Sequence, residues 1–408
     1  MEQIVHPKQN YYLFLILVTL MSSVSIFATD TYLPALPDMA LHFNCTQTEI
    51  QLSFTVFLLG LASSQLIAGA LSDRFGRKKI VISGFILFTV SSILCANSDT
   101  LPQFITFRLL QAIGGGVGSV TSRALVVDRY DRREAVKIFS TVFPIVGSSS
   151  AIAPLIGGYL TYFFGWQSNF LMIAIFGLVI LLCVFLCLKN KAPSIPANHP
   201  PASKMQAYSD VLGNLEFIGY ALVIAVGFCV FRSYSVESPF VFSNQGYAAE
   251  KMGQFYIALA VAYIAGNLFA KKLINKSTVE YVLRMGFLFF ILGGLCMVGS
   301  LLIFGNNPFG LIVPMAVVTF GNGLLFPVAS AAAMTSVRSE HYGIASGLLG
   351  AIQCVLAAFC SNWVGELCQG RAISLSLFIG TLILVGFLSY LLLVVYKPKS
   401  DVSLTEDV

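Results

Sequence analysis

Apolar residues fill most of this chain in long blocks broken by short polar segments. An α-helix rises about 1.5 Å per residue, so a block of about 20 residues spans the hydrocarbon core of a bilayer. The pattern predicts about twelve such helices, over 11–34, 48–71, 79–97, 101–125, 136–161, 168–188, 213–235, 252–270, 281–304, 309–334, 342–363 and 372–396. The longest polar break, 189–212, holds Pro193, Pro196, Pro200 and Pro201 among Lys, Ser and Asn. It predicts a flexible, partly extended linker. The expected organisation is therefore an all-α membrane protein with six helices in 1–188, a linker at 189–212 and six helices in 213–408.

Composition agrees with that class. The 408 residues are 57% hydrophobic and 11% charged, where soluble domains carry about 25% charge. The net charge of +5 invites a nucleic-acid reading, but its distribution excludes one. About 20 of the 24 Lys and Arg residues lie in or beside alternate loops: 74–79, 129–137, 189–204, 271–276, 338 and 397–399. That is the positive-inside pattern, and it predicts both termini in the cytoplasm. Arg108, Arg232, Lys251 and Arg371 are the exceptions. The first apolar block is longer than a signal-peptide core and no A-x-A site follows it, so it is expected to remain as a membrane helix. The nine cysteines form no metal-spaced cluster and read as small buried hydrophobes.

Chemistry concentrates in a few positions. Asp30 sits in Phe27-Ala-Thr-Asp-Thr-Tyr-Leu-Pro34 at the end of the first block, and an acid there is a functional candidate because burying it is costly. It is the one deep carboxylate expected in the first half. Glu216, Glu237 and Glu366 of the second half are read as lying near span ends, which implies one proton per cycle. Arg108 lies at a similar depth in the fourth block, and a direct or water-bridged Asp30–Arg108 contact is expected. Gln111 shares the Arg108 face and extends the network. Gly114, Gly115, Gly116 and Gly118 permit close helix packing. The break Gly69-Ala-Leu-Ser-Asp-Arg-Phe-Gly-Arg-Lys-Lys79 demands a tight turn, for which Gly76 is suited. Asp128 is placed to pair with Arg77 or Arg74. In the fifth block, Pro154, Gly157 and Gly158 allow bending and close crossing. No G-x-x-x-x-G-K-[ST], H-E-x-x-H or G-x-S-x-G occurs, which argues against ATP hydrolysis and the common intramembrane hydrolases.

The 69–79 segment resembles the loop between helices 2 and 3 of the major facilitator superfamily, through Gly69, Leu71, Asp73, Arg74, Gly76, Arg77 and Lys78. Arg108 with Gln111 resembles the Arg-x-x-Gln-Gly motif of helix 4, with Ala112 in place of the last glycine. Residues 147–158 resemble the antiporter motif of exporting members, with Ala153 before Pro154. Asp30-Thr-Tyr-Leu-Pro-Ala-Leu-Pro37, Ser238-Pro-Phe-Val-Phe242 and Gly343-Ile-Ala-Ser-Gly-Leu-Leu-Gly350 look like the bicyclomycin-resistance (Bcr/CflA) branch of drug:proton antiporters, from which Val328 departs.

The resemblance implies two six-helix bundles, no enzyme activity, no cofactor or metal, and the proton gradient as energy source. It implies export of small amphipathic compounds across a bacterial inner membrane by a monomer. Asp30 and Arg108 would couple the proton. Asp73, Arg74, Gly76, Arg77 and Asp128 would gate. Pro154, Gly157 and Gly158 would pivot. Asp30, Gln111, Tyr234 and Asn322 would touch substrate. Export of an endogenous metabolite such as a siderophore is the alternative within transport. A non-transporting receptor or assembly factor is the alternative outside it.

Overall fold

The computed structural model describes residues 11–130, 132–188, 204–338 and 341–392; the side chains of some helical positions, Asp73 among them, lie outside that description. Fourteen α-helices occur among the described residues. The first half holds α1 (Tyr11–Asp30), α2 (Leu36–His42), α3 (Gln47–Phe75), α4 (Arg77–Ala96), α5 (Leu101–Val127), α6 (Arg132–Phe164) and α7 (Gln167–Cys187). After α8 (Lys204–Leu212), the second half holds α9 (Leu215–Asn244), α10 (Ala249–Ile274), α11 (Val279–Phe304), α12 (Phe309–Thr335), α13 (Tyr342–Cys368) and α14 (Ala372–Tyr390). Counting α1 and α2 as one broken span around the 3-10 turn Leu33–Ala35, twelve long segments cross the molecule.

Ten of these stretches are long and apolar enough to cross a membrane on those grounds alone; α5 and α6 are the long helices outside that set. The reason is local for α5. It carries Arg108, Gln111 and a run of glycines, whose polarity or lack of side chain lowers its apolarity.

Helix boundaries follow from identifiable residues. Thr46 and Glu49 form a reciprocal capping box at the start of α3, with Glu49 N–H donating to Thr46 Oγ1 at 3.3 Å and Thr46 N–H to Glu49 Oε2 at 2.7 Å. Asn214 caps α9, its Oδ1 accepting from Glu216 and Phe217 at 3.0 and 3.1 Å. Gly76, at φ +94°, separates α3 from α4 in a conformation that a side chain would strain.

The helices pack as two bundles. In the first, α1 lies against α5, α6 and α7, α3 and α4 flank α5, and α4 lies against α7. In the second, α9 lies against α12, α13 and α14, while α11 packs on α12 and α14. Two extensive contacts join the bundles, α3 with α13 and α6 with α10, and smaller ones join α2, α3 and the 3-10 turn to α9 and the 3-10 turn to α10. Gly158 and Gly253 make the α6–α10 contact close. A Cβ on Gly158 would sit 2.5 Å from the Ala249 carbonyl oxygen, and one on Gly253 would sit 2.6 Å from that of Pro154.

Two expectations change. Residues 204–212 of the expected linker form helix α8, while 189–203 lie outside the described residues. The seventh span runs on to Asn244 instead of ending at 235. Pro239 is tolerated inside it because the carbonyl its missing N–H would have bound, that of Ser235, accepts from Tyr256 Oη at 2.9 Å. Glu237 is consequently inside α9 and fully buried, level with the N-terminal end of α3 and the C-terminal end of α13.

Candidate functional site

The basic α3–α4 and α10–α11 turns lie at one end of the bundles; the far end carries the α1–α2 break and the C-terminal ends of α9 and α13. Asp30 is the last residue of α1, just before that break, and is 1% exposed. Its Oδ1 accepts a hydrogen bond from Nη1 of Arg232, an ion pair with both members buried. Arg232 lies on α9, so the pair joins the two bundles. The second carboxylate oxygen, Oδ2, has no hydrogen-bond partner among the described residues. Phe228 and Phe231 flank the Arg232 guanidinium from α9 and Phe54 from α3, with ring centroids 4.9, 5.7 and 5.9 Å away. The rings exclude water and stabilise the cation.

Arg108 is not the partner of Asp30 here. It donates to the Ala28 carbonyl at 3.0 Å and to Gln111 Oε1. Gln111 passes the network to Ser92 Oγ at 2.7 Å. No carboxylate pairs with Arg108 among the described residues; instead its guanidinium lies over Phe57, Tyr32 and Phe170 at 4.1, 4.4 and 5.7 Å. The cause is the turn of α1. Equal depth fixes position along the membrane normal but not direction around the helix. Ala28 and Asp30 are two residues apart, hence about 200° apart around the axis. The side of α1 that meets Arg108 is opposite to the one that carries the carboxylate to the seam.

Small residues set α1 against α5. Ser22 Oγ donates to Ser122 Oγ at 3.0 Å, and Ser25 Oγ donates to the Gly115 carbonyl at 3.2 Å. A Cβ on Gly118 would lie 2.9 Å from the Met21 carbonyl oxygen. Gly157 of α6 faces the Thr31 carbonyl so closely that a Cβ there would collide with it. Pro154 and Gly157 are buried where α6 passes the α1 break.

At the basic end, Arg77 Nε and Asp128 Oδ2 pair at 2.9 Å, with side chains 25% and 48% exposed. Of the two partners considered for Asp128, Arg77 is the one in contact. Arg74 is exposed and lies over the Phe75 ring at 5.3 Å. Arg123 reaches across the seam to Ser346 Oγ at 3.0 Å.

Tyr234 is buried, with its ring edge-on to Tyr256 at 6.5 Å and its hydroxyl without a partner among the described residues. Asn322 is half-buried against α9, its Nδ2 lying 3.5 Å from the Gly227 carbonyl. The structure thus gathers Asp30 with Arg232 and Arg108 with Gln111, and sets the 74–77 and Asp128 group at the opposite end.

Sequence reasoning missed Arg232 and Glu237. Both carried a signal. Arg232 stands out as a base inside an apolar block, and Glu237 is an acid just beyond the expected end of the seventh span, in a segment that stays apolar to Phe242.

A family model described as Major Facilitator Superfamily matches residues 18–361. The chain is 24% identical over 408 residues to a "Bicyclomycin resistance protein homolog" of Haemophilus influenzae, covering 97% of this chain and 99% of that one. It is 31% identical over 210 residues to "Multidrug resistance protein MdtL" of Escherichia coli O157:H7, a match that spans about half of either protein, 52% and 53%. Among solved structures, a D-xylose-proton symporter superposes with a TM-score of 0.76 at 15% identity, covering 93% of this chain and 97% of that one. A bacterial homologue of the lysosomal transporter Spinster, in an inward-facing and unoccupied conformation, gives 0.69 at 13% identity, covering 95% and 96%. Those two likenesses show the shared fold. The twelve long segments in two bundles, the buried ion pair between them and the match over most of its length place this chain in the major facilitator superfamily, as a multi-pass membrane transporter of small molecules.

Proposed function

We propose that the protein is a proton-driven antiporter that exports small amphipathic compounds across a bacterial inner membrane, working as a monomer with both termini in the cytoplasm. The basic end then faces the cytoplasm and the far end faces outward. The observation that carries the reading is the Asp30–Arg232 pair, a buried titratable acid whose counter-charge sits on the other bundle. The relatives named for bicyclomycin and multidrug resistance support the substrate class.

The coupling follows from elementary electrostatics. A neighbouring positive charge favours the ionised carboxyl, and an apolar surrounding favours the neutral one. With the outer seam shut, Arg232 holds Asp30 as a carboxylate. When the bundles part at that end, the guanidinium moves away with α9, and the carboxyl takes a proton from outside. Closing returns Arg232 and drives the proton off once the site faces the cytoplasm. Substrate enters while Asp30 is ionised and leaves as it protonates, so the two ligands alternate on one site. Rocking of the bundles supplies the alternating access. No cofactor is required, since the proton gradient supplies the energy.

The other residues take supporting parts. Arg108 and Gln111 hold α1 in register against α5 and so aim Asp30. Pro154, Gly157 and Gly158 form the crossing about which α6 pivots. Asp73, Arg74, Gly76, Arg77 and Asp128 balance the two conformations from the cytoplasmic end. Tyr234 and Asn322, with Asp30 and Gln111, contact substrate.

The test is efflux from proteoliposomes across a panel of neutral, monocationic and dicationic amphiphiles. An imposed proton gradient should drive accumulation against the substrate gradient, and a protonophore should stop it. Accumulation that persists with the protonophore would exclude proton coupling.

A further inference from the structure

Glu237 belongs to no part of that scheme, yet it is the second fully buried acid at the seam. Its carboxylate is surrounded by donors. Oε2 accepts from Gln47 Nε2 at 2.7 Å and from Gln51 Nε2 at 2.9 Å. Oε1 accepts from the Gly370 N–H at 2.7 Å. Gln47 and Gln51 are on α3 of the first bundle, and Gly370 is in the turn between α13 and α14 of the second. Gln51 Nε2 also lies 3.3 Å from the Val236 carbonyl.

The surroundings are shaped for this arrangement. Gln369 and Gly370 both have positive φ, 49° and 68°, and that turn presents the Gly370 N–H to the carboxylate. Asn244 Nδ2 steadies the turn by donating to the Gly370 carbonyl at 3.3 Å. Gly365 leaves room for the Gln51 amide, into which a Cβ would collide. Titratable neighbours are few. Cys368 of α13 is buried beside Glu237, whereas Asp38 of α2, Glu49 of α3, Glu366 of α13 and Arg371 at the start of α14 are all exposed. No guanidinium or ammonium contacts the carboxylate among the described residues.

We propose that Glu237 is the latch of the outer gate and a second, proton-sensitive site: its carboxylate ties α3 to α9 and to the α13–α14 turn when the gate is shut, and protonation from outside releases it. All three partners are N–H donors. A carboxylate accepts all three bonds as they stand, whereas the O–H of a carboxylic acid meets an acceptor only if the Gln47 or Gln51 amide turns over and gives up its N–H bond to the carboxyl. The closed gate therefore selects the ionised form, and binding a proton favours the open one. The sign is the same as for Asp30, so outside protons act on two acids that both hold the seam. That the same protons drive export rests on the antiport reading; the latch itself does not.

The test is amide hydrogen exchange on the full-length protein in lipid nanodiscs, read over segments 236–248 and 365–372 at several pH values and corrected for the intrinsic rate. Wild-type exchange in both segments should rise about tenfold as pH falls through the titration of Glu237, the scale of losing one charge-assisted hydrogen bond. Glu237→Gln should show the raised exchange at every pH and no pH dependence. Gln47→Ala and Gln51→Ala should raise exchange at neutral pH while keeping the pH dependence, and they decide the matter if the Gln variant does not fold. Asp30→Asn should raise the exchange level but keep its pH dependence in these segments, since Glu237 still titrates. A flat wild-type profile overturns the proposal, as does a Glu237→Gln profile, or Gln47→Ala and Gln51→Ala profiles, superimposable on wild type. Failure of proton-driven efflux together with a pH-dependent seam would instead remove the antiport reading and leave the latch standing.

Discussion

Asp30 and Arg232 face each other across the seam between the bundles, each buried and each the other's charged partner. An ion pair inside one bundle would add to folding alone. One that spans two bundles is made and broken as they move, and so ties charge to conformation. Because the pair is buried, neither member can be removed without leaving the other as an uncompensated charge.

Arg232→Ala should therefore lower the stability of the purified protein by about 3–5 kcal/mol, the usual cost of orphaning a buried charge. Uphill export should fall to background. Arg232→Lys should recover part of both, since an ammonium keeps the charge but not the planar fork set among three phenylalanines. Thermal unfolding in detergent and vesicle efflux measure the two effects. A stable, fully active Ala variant would contradict the pairing role.

Arg108 should behave differently. Its partners are the Ala28 carbonyl, Gln111 and three rings. Phe57→Leu should cost about 1–2 kcal/mol by weakening a desolvated cation–π contact, with proton coupling intact. Arg108→Ala should mainly harm folding. Stability and the ratio of protons to substrate, measured on one preparation, separate these roles. A Phe57→Leu protein with unchanged stability but lost coupling would refute the aiming role.

The crossing of α6 over the α1 break offers a steric test. Gly157→Ala has no room beside Thr31, whereas Gly299→Ala meets nothing within 4 Å. The first should abolish export and lower membrane expression. The second should leave both within twofold of wild type, at an expected change of under ~1 kcal/mol. Expression blots and efflux decide. A fully active Gly157→Ala protein would remove the tight crossing from the account.

The helices were legible in the sequence because a bilayer imposes one period and one length on every span. The ends of α9 were not. Pro239 looks like a stop, and only the Tyr256 hydroxyl, distant in sequence, supplies the donor that lets the helix continue. Asp30 was legible as an acid where acids are costly. Its partner was not, because depth can be counted along a sequence while the direction of a side chain around α1 depends on where the 3-10 turn at Leu33–Ala35 begins. Contacts between bundles carry no sequence period at all, which is why the partners of Arg232 and Glu237 emerged only from the packed structure.

The central claim, that Asp30 carries the proton, is tested most directly by gradient-driven export with Asp30→Asn in proteoliposomes. Asn keeps the shape of the side chain but cannot take up and release a proton. The account predicts that the variant still inserts, at lower stability because Arg232 loses its counter-charge, and still exchanges substrate down its gradient, while uphill export driven by the proton gradient is lost. Wild-type uphill export by Asp30→Asn would contradict it.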